Sequence, residues 1–274
     1  MKKSVKNLLT IFLVFVLTAS YASVAYSQES SEKAKQILEN TYKKYSDLAR
    51  KEGEGLKSVA AKVSIKGGTQ VPMGGSGGSM PLDVDAIIEL YVRRPHYLYV
   101  DISGNLGNVK IAVAGKEKVT AMIMLPSTKQ FAAIDVPEEV IQKMQKRMQE
   151  DDPQEPDKME ELWKEVILTY EGTQSTEAGK AHKIAIKPKD PSEKSSLTAY
   201  ILDDKWDPAR FEINEPEEGG KLVIEFEKLE LNIDIPDERF VPDTKGYTQV
   251  SEKDLATVIM MQVMSTMMGQ SQEE

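Results

Sequence analysis

The chain has no cysteine, only two histidines and two tryptophans, and no excess of positive charge. Without cysteine, disulfides, thiolate metal sites and thiol nucleophiles are excluded, and so is the cysteine to which a bacterial lipoprotein's anchor would be attached. His96 and His182 have no neighbouring carboxylate at metal-ligand spacing, so an ordinary sheet histidine is expected at both. The net charge of −9 over 274 residues is repelled by phosphate backbones and anionic lipid surfaces, which argues against a nucleic-acid partner and against charge-driven membrane docking. No phosphate-binding loop or dinucleotide fingerprint is present. Gly74–Gly78, with Ser76 at its centre, matches a nucleophile elbow in letters only. The segment lies in a glycine-rich stretch before Pro81, where the required strand-serine-helix context is missing. Asp203, Asp204 and Asp207 flank Trp206 at an expected turn, a position that favours acids for conformational reasons. No catalytic residue, metal or cofactor is assigned, and the chain is expected not to be an enzyme.

Long hydrophobic runs are also scarce, with one exception. Lys2, Lys3 and Lys6 precede an apolar stretch from Leu8 to Leu17, and Ala25-Tyr26-Ser27 is a small-x-small site. This is the pattern of a secretory signal peptide cleaved near Ser27. Loss of its three lysines takes the remainder to about −12, against −9 for the whole chain. The expected product is a soluble, exported, most simply periplasmic protein of roughly 247 residues, enough for one large domain.

What the sequence does have is alternation. In residues 83–102 Val84, Ala86, Ile88, Leu90 and Val92 share one parity, followed by Leu98, Val100 and Ile102, the signature of strand with one apolar face. Arg94 and His96 fall on that apolar parity. An unpaired charge in an apolar interior costs several kcal/mol. Arg94 therefore either reaches acceptors from the mouth of an apolar concavity, or is thrown into water by a bulge at Pro95. Arg93, of the opposite parity, is expected to be ordinary surface.

Further strand patterns follow at short intervals: Val109, Ile111 and Val113; Val119, Ala121, Ile123 and Leu125; residues 129–136; and five more between 166 and 235. Leu222, Ile224 and Phe226 are even while Leu229, Leu231 and Ile233 are odd, so a bulge or sharp bend is expected at Glu227-Lys228. Short strands without regular helical crossovers predict an α+β fold built on one antiparallel sheet, curling because it has many strands. Helices are predicted over residues 31–50, with Ala34, Ile37, Leu38, Thr41, Tyr45 and Leu48 on one stripe, over 137–149, and for a turn or two within 158–166. Residues 67–80, rich in glycine, read as a mobile connection. The division expected is a signal peptide over 1–27, one domain over 28–250 with a helical insertion near 137–166, and a Met-rich helix and tail over 251–274. That helix opens on a Ser251-x-x-Asp254 capping pattern. It either docks on the sheet, lines or covers a cavity, or grips a partner.

These elements resemble a known superfamily. "LYVRRP" (residues 90–95), Asn232, Phe240-Val241-Pro242, "GYTQV" (246–250) and "KQFAAIDVPEEV" (129–140) are together similar to the LolA/LolB periplasmic lipoprotein carriers over roughly residues 31–250. The resemblance implies a strongly curved, incomplete antiparallel barrel with helices across its open side and an apolar cavity for acyl chains. It also implies that Arg94, at the family's Arg-Pro motif, latches a helical lid. Parity nominates Leu90, Val92, Leu98, Val100, Val109, Ile111, Val113, Ile123, Leu222, Ile224 and Phe226 as wall residues beside Arg94, although each would fit a packed core equally well. The implied activity is carriage of lipid or lipoprotein acyl chains between envelope membranes, with inner- and outer-membrane partner proteins. The alternative is an envelope sensor or interaction module of the same fold that binds lipidated or misfolded proteins and reports to a membrane partner. The acidic, proline-interrupted 137–166 segment and the Met-rich tail depart from the family pattern.

Overall fold

A computed structural model describes residues 28–50, 55–72, 79–105, 107–115, 118–142, 163–215 and 220–270. The signal-peptide reading, Ser76 in its glycine-rich segment, and most of the predicted 137–149 and 158–166 helices lie outside these residues. The α+β class with a predominantly antiparallel sheet is the class observed: twelve strands among the described residues, of which only the short β12 pairs in parallel. Two compact units are formed.

The first unit holds helix α1 (Gln28–Arg50) and strands β7 (Val166–Thr176), β8 (Gly179–Pro188), β9 (Ser196–Leu202) and β10 (Pro208–Glu215), in the order β10-β9-β8-β7. Helix α1 buries Ala34, Ile37 and Leu38, three members of its predicted stripe, and packs against β7. Its first turn is tied to that strand by Ser30, whose Oγ accepts from the Tyr170 N–H at 3.1 Å and donates to the Tyr170 carbonyl at 3.2 Å. Ala181, Tyr200, Leu202 and Ala209 form a close-packed cluster on β8 to β10, and Ile184 and Ile201 are fully buried beside it in sequence.

The second unit holds β1 (Ser58–Pro72), β2 (Ser79–Arg93), β3 (Tyr97–Gly104), β4 (Val109–Ala114), β5 (Thr120–Leu125), β6 (Gln130–Asp135), β11 (Gly220–Leu231), a 3-10 turn (Asp237–Phe240), β12 (Thr248–Gln249) and helix α2 (Glu252–Gln270). Its strand order is β12-β6-β5-β4-β3-β2-β1-β11. The ribbon of β1 and β2 runs longer than the glycine pattern predicted. Pairing continues from Gly67↔Val84 to Pro72↔Ser79, because the backbone hydrogen bonds of a two-stranded ribbon tolerate glycine. Gly67 is required for a different reason: a Cβ there would lie 1.8 Å from the Lys221 carbonyl oxygen, and its φ is +140°.

Other boundaries also differ from the pattern. Residues 163–165 form a bridge and turn, with Trp163 buried, and lead directly into β7; they are not helical. Residues 138–142 are helical, as predicted for the start of that segment. His96 lies in the turn of residues 94–96 between β2 and β3, outside any strand. After β11 the chain turns at Asn232, whose φ of +56° suits asparagine. Asn232 is held by its N–H to the Ser58 carbonyl at 2.8 Å, and its Oδ1 accepts from the Lys57 N–H at 2.7 Å. The following segment buries Ile235 and Phe240, β12 caps the edge of β6 through Thr248↔Gln130 and Gln249↔Phe131, and α2 starts at Ser251. The predicted capping pair forms: Ser251 Oγ accepts from the Asp254 N–H at 3.2 Å and donates to the Asp254 carboxylate at 2.6 Å.

Candidate functional site: an apolar sheet face

In an antiparallel sheet, residues paired directly across a ladder point to the same face. The register of the second unit therefore writes out the faces. One row runs Leu231, Val59, Val92, Leu98, Val113, Ala121, Ile134; the next runs Leu229, Ala61, Leu90, Val100, Ile111, Ile123, Ala132. A third runs Phe226, Val63, Ile88, Ile102, Val109, and two shorter rows, Ile224-Ile65-Ala86 and Leu222-Gly67-Val84, extend it. With strands about 4.8 Å apart and alternate residues about 6.8 Å apart, the face is about 29 Å wide along its two longest rows and tapers to about 10 Å over a length of about 27 Å.

Such residues are the types most often fully buried, yet here they are not. Every member of the first and third rows is half-buried, and in the second only the two alanines, Ala61 and Ala132, are buried. Ile224 is the buried exception in the shorter rows. All eleven aliphatic and aromatic residues nominated from sequence lie on this one face, joined by Val59, Val63, Ile65, Ile88, Ile102, Ala121, Ile134, Leu229 and Leu231, which the nomination missed. The missing signal was pairing: parity within a strand is visible in sequence, but which strands align is not.

The bulge predicted at Glu227-Lys228 is what makes the face continuous. Lys62 pairs with Lys228 and Val63 with Phe226, leaving Glu227 as the extra residue. The half-step places Phe226 and Leu229 on the same side despite their opposite parity. Glu227 turns to the other face, where its carboxylate meets the Lys62 ammonium at 2.6 Å and raises the lysine's pKa.

That other face is mixed: charged and aromatic side chains stand beside Ala60, Ala112 and Met124, which are buried. Lys110 pairs with Asp101, which also accepts from the Tyr99 hydroxyl at 3.3 Å. Asp101 raises the Lys110 pKa, and burial is the main cause of the upward shift of Tyr99. Arg239 donates to the Tyr91 hydroxyl at 2.6 Å. Arg93 sits here too, and this corrects its reading as ordinary surface. Strand β2 ends at Arg93, so the apolar parity does not extend to Arg94, whose side chain is exposed in the turn. Arg93 is the anchored residue: it donates to the Ile235 carbonyl at 2.5 Å, pairs with Asp237, and stacks over Tyr97 at 4.2 Å and Phe240 at 5.1 Å.

Among the described residues, helix α2 meets the apolar face at one corner. Leu255 packs with Leu125 and Ala132, with Val109, Ile123, Val250, Val258 and Ile259 around them.

A second polar cluster lies in the first unit. His182, buried, places Nε2 2.8 Å from Asp203 and Nδ1 3.2 Å from the Tyr170 hydroxyl, and stacks on Trp206. Asp203 is held below the usual carboxylate range by Lys180 first, with His182 adding to the effect. Among the described residues no group of three or more His, Cys, Asp or Glu could hold a metal ion.

The class these observations define is an α+β protein whose antiparallel sheet presents a large, incompletely covered apolar face. Three solved structures are similar to the chain at low identity. An uncharacterized conserved protein from Thermus thermophilus matches at 14% identity over 80% of this chain and 99% of its own, with a TM-score of 0.39. A LolA superfamily protein from Nitrosomonas europaea matches at 11% over 80% and 99%, TM-score 0.23. MucB in the Pseudomonas aeruginosa MucA/MucB complex matches at 11% over 80% and 63%, TM-score 0.36. No family model and no curated protein matches the chain. Among the described residues no helix is long and apolar enough to cross a membrane.

Proposed function

We propose that this chain is an exported, periplasmic carrier that binds the acyl chains of a lipid or lipoprotein on the apolar face of its second unit and passes them between envelope membranes without catalysing a reaction. One observation carries the reading: seven apolar residues from Leu231 to Ile134 stand in register across seven strands, and all are half-buried. The face, about 500 Å² by the strand spacings, is at the upper end of the contiguous apolar surface found on a monomer, where such patches are often functional. Apolar surface of that extent is costly to leave in water and favours an apolar ligand.

The geometry also suits release. A palmitoyl chain buried on all sides would be held by about 12 kcal/mol, at about 0.8 kcal/mol per CH₂. A chain laid on one sheet face loses contact with water on one side only, for roughly half of that. The neighbouring charges, Asp101 with Lys110 and Glu227 with Lys62, are paired on the far side of the sheet, consistent with a greasy surface that carries no reactive group.

The test is native mass spectrometry of the protein taken from the envelope of its own cells. Co-purified acyl lipid is the expected result, lost on Ile111→Asp. Protein that arrives empty and retains one membrane protein instead would overturn the carrier reading in favour of an envelope sensor.

A further inference from the structure

With 44 acids to 35 bases, most cations beside the apolar face have a carboxylate. Lys62 meets Glu227 at 2.6 Å, Lys66 meets Asp85 at 4.0 Å and Lys228 meets Glu230 at 2.8 Å, while Arg93 and Lys110 pair with Asp237 and Asp101. Lys57 and Arg94 differ. Both are exposed, and among the described residues neither side chain is paired with a carboxylate.

The two stand side by side. Strand β2 ends at Arg93, but the Arg94 N–H still donates to the Lys57 carbonyl at 2.9 Å, one step beyond the Ser58↔Arg93 pair. Two residues inward come Val59 and Val92, neighbours in the first row of the apolar face, so the cations stand about 6.8 Å beyond that row. The acids that follow β11, Asp234 and Asp237, are drawn to the opposite face. There Ser58 holds the Ile233 carbonyl, and Arg93 holds the Ile235 carbonyl and Asp237.

We propose that Lys57 and Arg94 bind the headgroup of the ligand, and that the ligand is an acyl lipid with an anionic head, a carboxylate or a phosphate. This rests on the carrier reading and narrows it from acyl chains in general to lipids that end in a negative charge. The guanidinium offers a planar fork that matches either anion bidentately, and the ammonium adds a point charge. From this end the rows descend for about 27 Å along β1 and β2, so a chain held by its head lies on apolar side chains along its length. The far end of the face does not offer the same to an anion. Lys66 there already meets Asp85, and Asp83 is exposed opposite Gly68. An exposed charge pair contributes little to a fold, but selection among lipids needs only a difference between ligands whose chains bind equally.

The experiment is displacement of an uncharged probe, N-phenyl-1-naphthylamine, by dodecanoate, dodecyl phosphate and dodecanol at mildly alkaline pH. The three share a chain and differ in the head. Both anions should bind about tenfold more tightly than the alcohol, and high salt should narrow the gap. The double variant Lys57→Gln/Arg94→Gln should bring the anions down to the alcohol and leave the alcohol unchanged. Both side chains are exposed, and circular dichroism should match the parent. A preference between the two anions identifies the source, phosphate for a phospholipid and carboxylate for a fatty acid. Equal binding of all three by the parent, or a preference that survives in the double variant, would overturn the headgroup site and leave the face standing as an acyl site. Failure of the probe and of all three ligands to bind would overturn the carrier reading and the headgroup site together. Ile111→Asp should weaken all three ligands alike, which separates loss of the face from loss of the headgroup contact.

Discussion

The Arg93 guanidinium packs on two aromatic rings that also touch each other, 4.2 Å from the centroid of Tyr97 on β3 and 5.1 Å from that of Phe240 in the 3-10 turn. Phe240 is buried, and the two rings are 5.3 Å apart. The ion pair with Asp237 is more than half exposed on the carboxylate side, so it contributes little. The stacking and the bond to the buried Ile235 carbonyl matter more. Arg93→Ala is expected to lower unfolding stability by about 2 kcal/mol, and Arg93→Lys by somewhat less, because lysine lacks the planar fork. Arg94→Ala, at an exposed turn position, should change it by no more than about 0.5 kcal/mol. Urea denaturation midpoints of the three variants measure the contrast, and an equal effect at both arginines would refute the anchoring role of Arg93.

The bulge makes an unusual deletion tolerable. Removing Glu227 leaves Phe226, Lys228 and Leu229 in regular alternation, and the pairs Val63↔Phe226, Lys62↔Lys228 and Ala61↔Leu229 can all persist. The expected cost is the lost Lys62 pair and the lost local bend, no more than about 2 kcal/mol. Removing Glu225 instead shifts every residue on one side of it by a single position and turns apolar side chains to the polar face. That variant should fail to fold cooperatively, as judged by thermal melting.

The contrast shows where sequence reasoning reaches. Alternation marked the apolar parity of β2 to β5, and the parity change at Glu227 disclosed a bulge before any pairing was known. Both are local consequences of a two-residue period. Parity does not say where a strand stops, and β2 stops at Arg93, so Arg94 leaves the alternation in an exposed turn while the anchoring of Arg93 depends on partners far along the chain. The His182–Asp203 contact was invisible because it is made across the β8–β9 ladder, where Ala181 pairs with Leu202 and His182 with Ile201. Half-burial was not legible at all, since the same alternation describes a filled core and an open face.

Tyr45 supplies an alkaline signature for the first unit. Its hydroxyl donates to Asp207 at 2.6 Å beside the Lys44 ammonium, and burial first, then the Asp207 bond and charge, push its pKa well above 10. The folded state thus binds a proton that the unfolded chain releases near pH 10. The associated stability is complete below pH 10 and falls as pH rises beyond it. In an absorbance titration of the tyrosines, Tyr45 should ionise only as the protein unfolds. Tyr45→Phe should reduce the loss of stability above pH 10.

The open face itself has a thermodynamic signature independent of any ligand. Ile184, in the first unit, has 0% exposure; truncating such a side chain removes its transfer energy and leaves a cavity, so Ile184→Ala should cost about 2–5 kcal/mol. Ile111 and Val100 occupy neighbouring places in one row of the sheet face and are half-buried. Truncation there creates no closed cavity and forfeits only part of the transfer term, so Ile111→Ala should cost about 1 kcal/mol and Val100→Ala less. If Ile111→Ala proved as costly as Ile184→Ala, the face would be a packed core and the carrier reading would fail. A small cost at Ile111 combined with a large drop in co-purified lipid would locate its value in binding, because a side chain that contributes little to folding would then be holding the ligand.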